Sequence, residues 1–135
     1  MIQLRDFKIE DFTAIQDAVE PFCTADDVDK ATEQGIAVTA TDGACMACGG
    51  ICMSGDEGVA WMKISKECKD DAFVWARTII EAFELMIESV DMPVITYILK
   101  GFCQGDRLAR AIGMKKTDIE EEFNGNIYYK YTVAQ

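Results

Sequence analysis

The sequence predicts an α/β (α+β) chain with elements in the order β-α-α-β-β-β-α-β-α-β-β. Three observations carry that expectation. The first is a change of hydrophobic period within residues 58 to 90, from a short apolar run to a long helical stripe. The second is a β-rich run, Val94-Ile95-Thr96-Tyr97-Ile98-Leu99, directly after that helix. The third is a pair of hairpin signals, Asp42-Gly43 and Asn124-Gly125, set between strand-like segments.

The elements follow in order. Ile2 and Leu4 alternate with polar neighbours, so residues 1 to 6 read as the first strand. Ile9, Phe12, Ile15 and Val19 step at helical spacing, and Pro21 ends that helix. Thr24 caps a second short helix through Asp27, Val28 and Ala31, which Gly35 stops. Ile36 to Ala40 is the second strand and Ala44 to Met53 the third. Ser54-Gly55-Asp56-Glu57-Gly58 turns the chain into the fourth, Val59 to Ile64. From Asp70 the period becomes helical. Phe73, Ala76, Ile80, Phe83, Ile87 and Val90 form a buried stripe, which Ala72, Trp75, Ile79 and Met86 widen. Arg77, Glu81, Glu84 and Glu88 line the opposite side, while Asp70 and Asp71 stand where acidic residues favour a helix start. Asp91-Met92-Pro93 stops this helix. A fourth helix, about Gln104 to Ile112, turns Leu108, Ala109 and Ile112 inward and ends at Gly113. Met114 to Phe123 and Ile127 to Val133 form the last hairpin.

Composition narrows the function. A chain of 135 residues, half of them hydrophobic and 27% charged, fits one soluble domain over 1–135. No apolar run reaches the roughly 20 residues of a membrane span, so no membrane partner is expected. MIQLRDFKIEDF mixes charge with apolar residues and does not read as a signal peptide, which makes a cytoplasmic location the expectation. The formal charge of −11, from 13 basic and 24 acidic residues, repels a phosphate backbone and argues against nucleic-acid binding. There is no histidine. That removes Ser-His-Asp and Cys-His nucleophiles and every histidine-containing zinc site. Chemistry is left to carboxylates, tyrosines, backbone amides or cysteine.

Six cysteines are present, and only Cys45-x-x-Cys48-x-x-x-Cys52 clusters. On an extended strand Cys45 and Cys48 point to opposite faces about 10 Å apart, too far to share a zinc ion. No metal is expected, and the cysteines read as small buried hydrophobes. Cys68, beside Lys69 and the long helix, is the one placed to be reactive. Glu120-Glu121-Glu122 reads as protection of an exposed strand. Trp61 and Trp75 read as core.

The element order, with the longest helix after the fourth strand, resembles the GNAT superfamily of acyl-CoA-dependent N-acyltransferases over nearly the whole chain. Asp106-Arg107-Leu108-Ala109-Arg110-Ala111-Ile112-Gly113-Met114 is similar to the family's penultimate helix and its closing Gly-Phe, with Met114 for phenylalanine. Ile9-Glu10-Asp11-Phe12 resembles its opening helix. The resemblance implies a GNAT-like mixed, mostly antiparallel sheet flanked by helices, whose fourth and fifth strands splay apart. It further implies acetyl-CoA, or another acyl-CoA, as co-substrate in that cleft, and a small-molecule or protein amine as acceptor. Backbone of Ile64 would meet the pantetheine arm, and the pyrophosphate would lie on amides between Lys69 and Val74 at the start of the long helix.

The family's Gln/Arg-x-x-Gly-x-Gly/Ala loop falls on Lys69, Ala72 and Val74, with Phe73 between them. Its glycines are missing, and Asp70 and Asp71 bring two anions towards a phosphate. The tyrosine that often serves as acid corresponds to Ala109, and a helix-start asparagine corresponds to Phe102. Glu57 is the carboxylate nearest the usual place of a base. The resemblance therefore implies either a divergent N-acyltransferase or a GNAT-fold interaction or structural protein without catalysis, similar to some phage-encoded chains. Some relatives pair through their last strands, and the tyrosines of 127 to 133 would permit a homodimer.

Overall fold

The computed structural model describes residues 1–15, 28, 35–43 and 45–133, leaving aside the side chains of Cys45, Lys69 and Asp70. Its elements are β1 (Gln3–Asp6), α1 (Ile9–Ala14), β2 (Ile36–Asp42), β3 (Cys45–Ser54), β4 (Glu57–Ile64), a 3-10 helix (Lys66–Asp71), α2 (Ala72–Ser89), β5 (Val94–Leu99), α3 (Cys103–Ile112), β6 (Lys115–Phe123) and β7 (Asn126–Val133). The expected helix from Thr24 to Ala31, the first helix's continuation through Val19 to Pro21, and Cys23 lie outside the described residues.

The strands form one seven-stranded sheet, in the order β1-β2-β3-β4-β5-β7-β6. Every pairing is antiparallel except β4 with β5, as a helical crossover between them requires. Both hairpin signals hold. Gly43 has φ +62°, and Asn124 and Gly125 have φ +52° and +83°, the paired positive values of a tight hairpin turn.

Strand alternation gives the sheet two apolar faces. On one, Ala47, Ile51, Ala60, Val94 and Tyr131 meet α2 and α3; on the other, Cys48 and Trp61 meet Phe12 and Ile15 at α1. The helix contributes Trp75, Ile79, Phe83 and Met86, spaced four, four and three residues apart. Burying each is worth about 1.5–3 kcal/mol. The buried face is therefore narrower than expected: Phe73 is 78% exposed, Ala72 is exposed, and Ala76, Ile80 and Ile87 are half-buried along the flank. Gly49 lets the helix approach. A Cβ there would sit 2.9 Å from the Trp61 carbonyl oxygen and 3.1 Å from the Phe83 ring.

Two polar anchors fix the remaining helices. Gly113, at φ +104°, ends α3 as expected, and the Met114 N–H donates to the Ala109 carbonyl at 2.9 Å. At α1, the buried Asp11 carboxylate accepts from the Arg5 guanidinium at 2.6 and 2.8 Å. The Lys8 N–H donates to it at 2.9 Å and the Thr39 hydroxyl at 2.8 Å. Lys63 of β4 reaches over the Phe12 ring to the Phe12 carbonyl, a C-terminal acceptor of the same helix.

Candidate functional site

The parallel pair β4–β5 is joined only at its beginning. Gly58 stands opposite Val94 and Val59 opposite Ile95, and no further residues are in register. The Gly58 N–H donates to the Pro93 carbonyl at 2.8 Å. One residue pair further on, the buried Thr96 hydroxyl donates to the Ala60 carbonyl at 2.7 Å. That side-chain bond replaces a ladder bond just where the strands diverge.

Backbone direction alternates along a strand, so Met62 and Ile64 turn their N–H and C=O groups towards the β5 side, as Gly58 does. Ser65, of the other parity, bonds in the opposite direction, its N–H donating to the Met46 carbonyl of β3 at 3.0 Å. Beyond Ala60 the open edge of β4 thus offers backbone donors and acceptors that no described strand takes up. Buried backbone groups need partners, and an extended amide-bearing ligand would supply them.

Past Ile64 the chain enters the 3-10 helix. Ser65 caps it, its hydroxyl oxygen accepting from the Glu67 N–H at 3.3 Å. Lys69 lies within this helix, whose Cys68 N–H donates to the Ser65 carbonyl three residues earlier at 3.1 Å. Asp71 occupies the N-cap of α2, but its side chain makes no capping bond, contrary to the expected cap. Ala72, Phe73 and Val74 form the exposed first turn of α2, with Val74 51% exposed. Amides at this turn carry the positive end of the helix dipole. Two large apolar side chains border them.

Glu57 is brought together with none of these residues. It begins β4 as its first residue, rather than lying in a turn, and its carboxylate is 3.7 Å from the Lys130 ammonium of β7. Seven residues of strand, about 23 Å, separate it from Ile64. It therefore stands at the closed end of the β4–β5 pair.

One constellation escaped the sequence. Tyr131 of β7 is in register with Thr96, so it borders the point of divergence. Its hydroxyl donates to Asp106 Oδ1 of α3 at 2.5 Å, and Arg110 Nε meets both Asp106 oxygens at 3.0 Å. Burial, then the neighbouring carboxylate, pushes the Tyr131 phenol up to about 12. The Tyr131 hydroxyl and the Arg110 guanidinium hold the Asp106 carboxyl below its ordinary value. Tyr131 thus keeps its proton and pins α3 along the cleft. The Asp106–Arg110 spacing of four residues is legible in sequence. The tyrosine is not, because its place depends on the β5–β7 register. Ala109, standing where the family's tyrosine falls, is buried in the core.

The described cysteines do not gather into one cluster. Cys48 and Cys52 share one face of β3, and burial pushes the Cys52 thiol up. Cys68 is buried, its thiol 3.6 Å from the Met46 carbonyl. Among the described residues no group of three or more His, Cys, Asp or Glu is arranged to hold a metal. No described helix is long and apolar enough to cross a membrane. The tyrosines expected to face a partner sit on β7, an interior strand, and Tyr128 and Tyr131 are buried.

This is the fold of the GNAT N-acetyltransferases. No family model and no curated protein matches the sequence. Solved structures do match in three dimensions. The ribosomal-protein-S18-alanine N-acetyltransferase of Escherichia coli superposes with a TM-score of 0.68 at 12% identity, over 98% of this chain and 93% of that one. An acetyltransferase of Bacillus subtilis solved in complex with CoA gives 0.68 at 13% identity, over 99% and 97%. A spermidine N-acetyltransferase chimera from Vibrio cholerae and hSSAT gives 0.65 at 11% identity, over 98% and 94%.

Proposed function

We propose that this chain is a divergent acyl-CoA-dependent N-acyltransferase, passing an acyl group, acetyl in the first instance, to an amine. The observation that carries the reading is the divergence of β4 from β5 after two residue pairs, which leaves the Met62 and Ile64 backbone facing the gap. A pantetheine arm has the alternating amides to satisfy such an edge, and a protein of this fold has been solved with CoA. Bound there, acyl-CoA would supply the activated thioester. Ile64 would hold the arm, while the backbone around Lys69 and the first-turn amides of Ala72, Phe73 and Val74 would meet its phosphates.

The acceptor is an amine, small or on a protein; similar structures are named for spermidine and for a ribosomal-protein alanine. Glu57 is the carboxylate assigned to receive the amine proton. Its distance from Ile64 requires a relay through water, so most of the rate in this reading comes from positioning. The acidic surface suits a cationic acceptor.

A second reading rests on a specific observation. Phe73 and Val74 stand exposed where small residues would let amides touch phosphate, and Ala109 offers no hydroxyl. These fit a GNAT-fold protein that has given up CoA and works by binding a partner.

Thermal unfolding across an acetyl-CoA titration, beside free CoA, decides between them. Ligand at about 100 times its Kd adds roughly 2.7 kcal/mol, a rise of several degrees for a chain of this size. A saturable rise supports the enzyme and opens an amine screen. A flat response to millimolar ligand overturns it.

A further inference from the structure

We propose that an apolar groove adjoining the cleft is a docking site for a basic amphipathic helix of a protein partner. The groove runs between α2 and the β1–β2 edge of the sheet. Leu4, Val38 and Ala40 line its sheet side, and Thr78, Ala82 and Met86 its helix side. No described element covers it. Leu4 is 55% exposed and Leu85, one turn beyond Ala82, is 68% exposed. Val74, Thr78, Ala82 and Leu85 follow one flank of α2 at steps of four, four and three. That stripe is about 16 Å long, the length of three helical turns.

The rim identifies the occupant. Asp6 pairs with Val38 in the β1–β2 register and so shares its face, and Asp42 lies two residues beyond Ala40 on the same face. Glu81 and Glu88 edge the stripe on α2, both exposed. Four carboxylates thus surround an apolar floor. Two cations offset them weakly: Arg77 meets Glu81 at 3.5 Å in an exposed pair, and the Met1 amino group meets Asp42 at 3.4 Å. Arg5, the basic residue of β1, is drawn to the opposite face by Asp11. An apolar groove inside a carboxylate ring, on a chain of net charge −11, complements a helix with leucine-like anchors flanked by lysine or arginine. Met62 and Ile64 also line the groove and Val74 heads its stripe, so the groove adjoins the cleft along β4.

The test is fluorescence anisotropy with a labelled amphipathic peptide of leucine and lysine, about three to four turns long, at physiological salt. A control peptide keeps the lysines and replaces each leucine by serine. Saturable binding of the first peptide only is expected. The double variant L4S/L85S, altered at exposed positions and checked for unchanged melting temperature, weakens it at least tenfold. The variant E81Q/E88Q weakens it severalfold and flattens its salt dependence. Equal binding of both peptides, or wild-type affinity in L4S/L85S, overturns the proposal. So does a concentration-dependent dimer in sedimentation that L4S/L85S abolishes, since the groove would then belong to a second copy. The acetyl-CoA response of L4S/L85S stays that of the wild type whichever way the peptide result falls, so the two readings fail separately.

Discussion

Replacing Asp11 with asparagine tests whether one carboxylate ties β1, α1 and β2 together. Its side chain is 8% exposed and holds four hydrogen bonds, two of them from Arg5. The Arg5 contact holds the carboxyl down against the opposing effect of burial, and the Lys8 amide and Thr39 hydroxyl assist, so that it titrates at about 2 in place of 3.8. At about 1.4 kcal/mol per pKa unit, that difference is about 2.5 kcal/mol of stability. A depressed carboxyl contributes fully above its unfolded-state value and loses its contribution as pH falls through the folded one. Linkage leaves about 1.3 kcal/mol of it at pH 3. The asparagine amide also turns a donor towards groups that already donate, which adds a cost independent of pH.

Urea unfolding of wild type and Asp11→Asn should therefore show a gap of at least about 2.5 kcal/mol at neutral pH. The gap should narrow by roughly half that amount at pH 3. A gap that stays constant from neutral pH to pH 3 would refute the reasoning, because the carboxylate's charge would then contribute nothing.

Other perturbations follow from the same packing. Phe83→Ala removes the ring seated on Gly49 and should cost about 3–5 kcal/mol in urea unfolding; a loss under about 1 kcal/mol would mean that the helix–sheet seam collapses around it. Thr96→Val leaves the Ala60 carbonyl unpaired and should cost about 1–3 kcal/mol, with faster amide exchange at the start of the β4–β5 gap. Tyr131→Phe should delete a phenol that ionises near pH 12 from an ultraviolet titration of the folded chain. Because that phenol is raised in the folded state, wild-type stability should fall as pH climbs above about 10. The variant should lose that part of the slope.

Much of the fold was legible because its signals are local. The β5 run, the Gly113 stop and the Asn124-Gly125 turn each depend on a few adjacent residues, and each stands where expected. What escaped depends on partners distant in sequence. The buried face of α2 is narrower than expected: Trp75, Ile79, Phe83 and Met86 are buried as the pattern implies, while Phe73 is exposed. The 3-10 helix left no periodic trace in Lys66–Asp71. Asp11 and Tyr131 look ordinary until β1 and β7 take their registers. For the site, Ile64 and the residues from Lys69 to Val74 are named only through the family resemblance, not from spacing. That Glu57 stands about 23 Å along the strand from Ile64 needed the strand's true start.

The two ends of the cleft are built from different material, which explains why the resemblance is strong in shape and faint in sequence. The divergence of β4 and β5 is set by backbone and by one hydroxyl, Thr96 on Ala60, so many side chains are compatible with it. In the proposed acyl-CoA reading a phosphate end would depend on small residues and on free helix amides, and there this chain has Phe73, Val74 and a 3-10 turn. An acyl-pantetheine without its nucleotide would need only the first end. If the phosphate end alone has been lost, such a truncated thioester should raise the melting temperature about as much as acetyl-CoA does. If both ends work, acetyl-CoA should bind more tightly by the contribution of its phosphates, a charge-assisted difference that added salt would erode. Equal, salt-insensitive shifts would assign all the affinity to the β4 edge.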